Sequence, residues 1–411
     1  MSDYATALDP DAPQVLPYNP FDPEFHANPY KVFKGLREEK GNVIRTPAGI
    51  SVLGFAETSQ VMMDRKLGRG DGAGVQDTLV MTDEGPQRAF MFMDPPDHTR
   101  IRKLVTKVFN ARTVERLRPQ AERFAAERMA ALAARADSEP VDLVSEFFRP
   151  LGTYVVNVLM GVPAEYLDRS IEYAKAAERG LDPTYTLNPE EQENRTYARD
   201  GYMDIARELI VARRAKPNDD LMSHLIAAEE DGDRLTTSEL LTTAAVLFLP
   251  GFLAPQGLMG LSTLALLRNP DQLSWLRDHL DQAASASEEL IRFDTTLQIM
   301  NRTVLEKTDV GGVELEPGEE VFCLLGAANH DPAAFERPEE LDLSRPVTRH
   351  IGFGHGIHFC VAAPVARLAN EVMISELSRH RLTLVDENPP TNGSLSIRSL
   401  SKLRVAFEKS A

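Results

Sequence analysis

The stretch Phe353–Ala369, "FGHGIHFCVAAPVARLA", puts Cys360 at the end of a glycine-rich loop and at the start of a helical pattern. Free backbone N–H groups and the positive end of the helix dipole stabilise a thiolate at such a place. Gly354 and Gly356 are expected to let the backbone approach something flat or bulky. The competing reading is a structural cysteine beside a turn. Cys323, inside the strand-like "EVFCLL", has no such loop and reads as a buried strand residue. With only these two cysteines, neither a disulfide framework nor a four-cysteine cluster can form. A reducing, cytoplasmic setting is therefore expected.

A second stretch asks a different question. From Leu240 to Leu267 there is no charged residue, yet Pro250 and Pro255 stand in the middle. The run is long enough to span a membrane. Against that stand the prolines, Gln256, four threonines or serines and the absence of basic flanks. A helix buried all round in a large core is the better reading. Each proline removes a backbone donor, leaving the carbonyls of Val246 and Gly251 without their helical partner. A kink at Gly251 is expected from this.

The elements that must hold these stretches can be sketched from periodicity. The chain has 411 residues and a net charge of −17, so nucleic acid and anionic membranes are not partners of its surface as a whole. The first residues show neither a basic start nor an apolar core, and no targeting segment is read there. Residues 1–18 read as an extended arm and 19–411 as one large, mainly helical domain with minor β-structure. Two short strands lie in "NVIRT" and "ISVLG", and residues 68–90 read as a mobile glycine-bearing loop. Helices are expected over 95–135, 141–161, 164–178, 190–215, 219–230, 237–269, 271–280, 282–293 and 361–379. A small β-meander is expected over "TVLEKTDVGGVELEPGEEVFCLL", and strands again in the C-terminal tail.

"FGHGIHFC" matches Phe-Gly-x-Gly-x-His-x-Cys, and the chain here resembles the cytochrome P450 heme-thiolate enzymes of the soluble bacterial type. Other motifs follow in order: "DPPDHTRIR" (94–102), "EELIRF" with Glu289 and Arg292, "ANHDP" (328–332) and "RPEELDLSRP" (337–346). The resemblance covers the chain from about Asn19 onward. It implies a single P450-type domain, with heme b between a long distal helix and the cysteine loop. It implies Cys360 as axial iron ligand, within a loop formed by Phe353, Gly354 and Ala362. His98, Arg102, Arg302 and His358 are implied as partners of the heme carboxylates. Glu289 and Arg292 are implied as a structural ion pair. The family's basic third member of that pair would fall at Glu340, and its glycine two residues after the cysteine is Ala362 here. Both are departures.

The resemblance also gives the uncharged run a register. Pro250 and Gly251 take the places of an Ala/Gly-Gly pair, Leu253 that of the usual acid, and Ala254 that of the usual alcohol. The pair that normally delivers protons to reduced dioxygen is missing, and Gln256 is the one polar side chain nearby. Val246, Leu249, Leu253, Leu297, Gln298 and Leu400 are implied as an apolar substrate wall, with residues 68–93 and 165–200 at the entrance. The implied function is a cytoplasmic monooxygenase of a small or medium-sized apolar substrate, acting as a monomer. Electrons would come through a ferredoxin and an NAD(P)H-dependent ferredoxin reductase. The alternatives are an oxidative-coupling enzyme, a peroxide-using peroxygenase, or a non-catalytic heme sensor. The basic run 100–118, with Arg100, Arg102, Lys103, Lys107, Arg112, Arg116 and Arg118 against Glu115 alone, is expected to attract an acidic ferredoxin.

Overall fold

A 32-residue helix, Thr237–Arg268, runs through the middle of the molecule and organises the rest. The structure is a computed structural model. It describes residues 16–408 except 48, 71–78, 83, 110, 136–138, 231 and 347–348. The long helix starts where its sequence says it should. Thr236 and Glu239 form a reciprocal capping box, with Glu239 N donating to Thr236 Oγ1 at 3.2 Å and Thr236 N donating to Glu239 Oε2 at 2.8 Å. It ends at Asn269, where Pro270 disfavours further helix and opens the next one. It is long and apolar enough to cross a membrane, but most of it is buried inside the protein. The missing charges are explained by the neighbours that surround it, notably the helices Arg149–Met160, Pro189–Ala215 and Ala363–Ser378. The helix continues through Pro250 and Pro255 without interruption. The expected kink at Gly251 does not show as a break, though neither proline can supply a donor to the turn before it.

Beside the helices lies a five-stranded sheet. Its order is Val43–Thr46, Gly49–Val52, Glu320–Leu324, Ile299–Val304 and Leu67–Gly68. Glu320–Leu324 pairs parallel to the N-terminal hairpin and antiparallel to Ile299–Val304. The expected meander is therefore split: Thr308–Val310 and Val313–Leu315 form their own hairpin, and the outer strands join the sheet. Three C-terminal and central strands form a second small sheet, in the order Leu382–Leu384, Arg404–Phe407 and Val141–Asp142.

Several boundaries differ from the periodic reading. Residues 95–135 form three helices, Asp97–Val108, Ala111–Glu115 and Arg118–Arg135. Within the expected loop 68–90, Leu79–Thr82 and Gly85–Arg88 pair as a hairpin, while 71–78 lie outside the described residues. The segment 219–230 is helical only over Leu221–Ala227. Of the expected arm, residues 1–15 lie outside the described residues. Leu16 is buried, and Tyr18 stacks on Phe25 with ring centroids 4.5 Å apart. The packed domain thus begins before residue 19, because these side chains find apolar partners on the first helices.

Candidate active site

The cysteine loop is built by its own backbone. Cys360 N donates to Phe353 O at 3.0 Å, closing the loop on itself. Gly354 and Gly356 have φ of 73° and 68°, in the region that disfavours side chains. A Cβ on Gly356 would lie 2.2 Å from Met62 O, and one on Gly354 would lie 3.2 Å from Met300 Sδ. These glycines therefore let the loop press against the chain's own backbone and side chains. Ala362 has φ −90° and ψ 7°, so the absent glycine costs no strain.

The helix Ala363–Ser378 starts just after Cys360. Burial pushes the Cys360 thiol above its usual value, while the N–H groups of Ala362 and Ala363 and the guanidinium of Arg102 pull it down. Cys360 keeps some exposed surface, whereas Cys323 is fully buried in its strand and is pushed up to about 12 by that burial. The two cysteines thus differ as their sequence contexts indicate. Phe353 packs with Leu258 of the long helix, Ile291 and Ala366, which ties the cysteine loop to that helix. Arg367 lies over the Phe353 ring, 4.7 Å from its centroid.

A set of cationic and polar groups converges beside the loop. His98 comes from the helix Asp97–Val108 and His358 from the cysteine loop, and their rings lie 4.2 Å apart. His98 is buried, and neither of its ring nitrogens has a partner. The Nε2 of His358 and the Nη2 of the buried Arg302 are likewise without partners. Arg302 Nη1 donates to Asn301 O at 2.9 Å, and Arg102 Nη2 donates to Phe359 O. Burial, then the charge of Arg102, lowers His98 to about 4. His358 is lowered as well, by burial and then by Arg302. Arg69, which the motifs did not single out, acts on both histidines.

Glu289 and Arg292 make a buried bidentate pair, both bonds 2.8 Å. Arg292 also donates to the carbonyls of Asn329, Pro338 and Glu340. The third member is Arg345, whose Nε donates to Glu289 Oε1 at 3.2 Å. The expected position, Glu340, contributes only its carbonyl, and its side chain is exposed beside Arg337. The network therefore keeps two cations, one of them five residues later than the motif alignment suggested.

The middle of the long helix is buried except for a stripe that includes Val246, Leu249, Pro250, Gly251 and Ala254, all with some exposed surface. Leu253 is buried in the main core, and Leu297 packs partly exposed against that core. Two expected site residues point elsewhere. Gln256 is buried, and its Oε1 accepts from Arg149 Nε at 3.2 Å, on the side packed against Arg149–Met160. Two residues past Ala254 means about 200° of helical rotation, which carries it off the stripe. Gln298 donates to Thr295 O at 2.6 Å and approaches Tyr30 Oη at 3.5 Å, away from Leu297. Neighbouring side chains on extended backbone point to opposite sides. Leu400 is buried against Gly260, six residues beyond Ala254 and about 9 Å further along the axis. It thus packs beyond the stripe.

The family model for cytochrome P450 matches residues 13–402. The chain belongs to the cytochrome P450 family. Cytochrome P450 107B1 of Saccharopolyspora erythraea is 34% identical over 402 residues, covering 94% of this chain and 96% of that protein. The vitamin D(3) 25-hydroxylase of Pseudonocardia autotrophica is 32% identical, covering 94% and 96%. The solved structure of the Bacillus subtilis bacillaene polyketide synthase P450 PksS superposes with a TM-score of 0.84 at 30% identity, covering 95% of this chain and all of that one. P450s are heme b monooxygenases, and this chain is one of them. Its residues fit the cofactor. Heme b brings two carboxylates, and the unpartnered donors of His98, His358 and Arg302 are buried groups that need acceptors.

Proposed function

We propose that this P450 inserts one oxygen atom from O2 into a small or medium-sized, largely apolar organic substrate. Heme b supplies dioxygen binding and activation when present, and a thiolate ligand favours O–O cleavage. Cys360 would be that ligand, and His98, Arg102, Arg302 and His358 would hold the carboxylates. The observation that carries this assignment is the convergence of unpartnered buried donors beside the one cysteine whose sulfur faces helix N–H groups. Val246, Leu249, Ala254 and Leu297 would line the substrate space with apolar surface. Relatives named as hydroxylases of vitamin D(3) and of 6-deoxyerythronolide B suggest sterol-sized and macrolactone-sized candidates.

A ferredoxin, reduced by an NAD(P)H-dependent reductase, would deliver electrons. Arg100, Arg116 and Arg118 of the basic run are engaged by Asp233 and Glu239, by Asp219, and by Glu115 and Glu371. Lys103 and Lys107 of the helix Asp97–Val108 are exposed and would contribute to the docking charge. The test is a panel of apolar sterols and macrolactones, scored by the optical shift on binding and by product formed with ferredoxin, reductase and NAD(P)H. Hydroxylated product from a binder supports the reading, and tight binders that yield none reject it.

A second reading rests on Leu253 and Ala254. The distal stripe has no titratable side chain, which suits a peroxide-using enzyme that needs no proton delivery to reduced dioxygen. Product formed faster with hydrogen peroxide than with the ferredoxin chain favours this reading.

A further inference from the structure

Arg69 follows the edge strand Leu67–Gly68, and its guanidinium turns inward. Its Nε donates to Met91 O at 3.2 Å, and its Nη1 donates to Asn301 O at 3.3 Å and to Asn301 Oδ1 at 3.0 Å. Arg302 Nη1 donates to the same Asn301 carbonyl at 2.9 Å. One oxygen shared by two guanidinium groups brings the buried charge of Arg302 close to the partly buried charge of Arg69. Among the described residues, neither arginine makes an ion pair with a carboxylate. The nearest acids are committed elsewhere. Asp94 accepts from the backbone N–H groups of Arg69 and Gly70, at 2.8–2.9 Å. Glu320 accepts from Thr303 Oγ1 at 2.6 Å and Asn301 Nδ2 at 3.3 Å.

The electrostatics agree with this geometry. Burial, then the charge of Arg302, pulls the Arg69 guanidinium down, and Asp94 and Glu320 oppose the shift. Guanidinium groups stay charged in proteins, so two of them this close call for an anion. The unpartnered Nη2 of Arg302 and ring nitrogens of His98 mark where it would sit.

We propose that Arg69 is a further anchor of the heme carboxylates, sharing with Arg302 the negative charge that neutralises both. The proposal rests on the heme reading given above. Arg69 is a positioning group that fixes the cofactor electrostatically. Its positive charge also favours the reduced iron, since reduction adds an electron beside it.

The experiment measures heme transfer to excess apomyoglobin and the iron midpoint potential of Arg69→Gln, Arg69→Lys and Arg302→Gln holoproteins. Arg69→Gln is expected to lose heme about tenfold to a hundredfold faster, the range for losing a hydrogen bond to a charged group, and to shift the potential negative. Arg69→Lys keeps the charge, so its potential stays near wild type while heme loss rises less. If Arg69→Gln and Arg69→Lys lose heme equally fast with potentials unchanged, Arg69 only stitches Met91 to Asn301 and the proposal fails. If Arg302→Gln loses heme faster and Arg69→Gln does not, the proposal fails while the heme reading stands. Wild-type heme loss in both glutamine variants rejects both. Should Arg69→Gln not accumulate, Arg69→Met takes its place: faster heme loss than Arg69→Lys with a negative shift in potential supports the proposal, and heme loss equal to that of Arg69→Lys at unchanged potential overturns it.

Discussion

The rings of His98 and His358 lie 4.2 Å apart, one on a helix and one in the cysteine loop. Both are held below their usual values, His98 at about 4. In the heme-free chain they are neutral, while the unfolded chain takes up protons near 6.5. The unfolded state binds more protons below that point, so stability is present above it and is lost as pH falls from 6.5 toward 4. The slope is at most about 1.4 kcal/mol per pH unit per histidine. Thermal unfolding of the heme-free protein should show this loss, and His98→Gln should flatten it. An equally steep loss in His98→Gln would show that another group carries it.

Cys360 and Cys323 should separate cleanly in spectra. The ferrous–CO form of the wild type is expected to show the red-shifted Soret band of thiolate ligation. Cys360→His should abolish it. Cys323→Ser should keep it, at a stability cost of about 1–3 kcal/mol for burying a hydroxyl in the strand. A retained band in Cys360→His would refute the assignment.

The Glu289 network predicts which of two nearby residues matters. Arg345 is nearly buried and bonds the carboxylate directly, so Arg345→Met should cost about 1–3 kcal/mol. Glu340 offers only its backbone, so Glu340→Ala should stay within about 0.5 kcal/mol. Denaturant midpoints of the two variants measure this, and the reverse order would return the third position to Glu340.

Lys103→Glu and Lys107→Glu should slow ferredoxin-driven reduction by about tenfold at low ionic strength, with the effect fading as salt rises. Substrate binding should not change. Stopped-flow reduction at two salt concentrations tests this, and unaltered rates at low salt remove the helix Asp97–Val108 from the docking face.

On the register that the family resemblance implies, Ala254 would take the place of an alcohol that helps deliver protons, a contribution of about 10²–10⁴-fold when an acid or base is well placed. Coupling of NAD(P)H to product should therefore depend on a polar group of the substrate near Gly251 and Ala254. An analogue without that group should bind yet divert electrons to hydrogen peroxide, and Ala254→Thr should restore part of the coupling. Equal coupling for every tight-binding analogue would leave water beside the proline-freed carbonyls of Val246 and Gly251 as the better account.

What the sequence determined by itself is local. The glycine loop before Cys360, the Thr236–Glu239 box and the Asn269–Pro270 stop depend on residues within a few positions of each other. Backbone conformation and short hydrogen bonds therefore settle them wherever the segment lies. The buried fate of residues 240–267 was legible for a similar reason, since a run without charge must avoid water. The tertiary structure decided where individual side chains point and which distant ones meet. Gln256 and Gln298 carry the right chemistry, but one turns to Arg149 and the other to Thr295 and Tyr30. Helix phase and strand alternation choose the face, and only packing against neighbours says what that face meets. Arg69 falls in no motif, and Arg345 stands within "RPEELDLSRP" at a place to which the motif assigned no role, yet one meets the Arg302 site and the other meets Glu289. Their long side chains reach across the fold to charges far away in sequence, and no spacing rule encodes a contact that arises only when separate elements pack together.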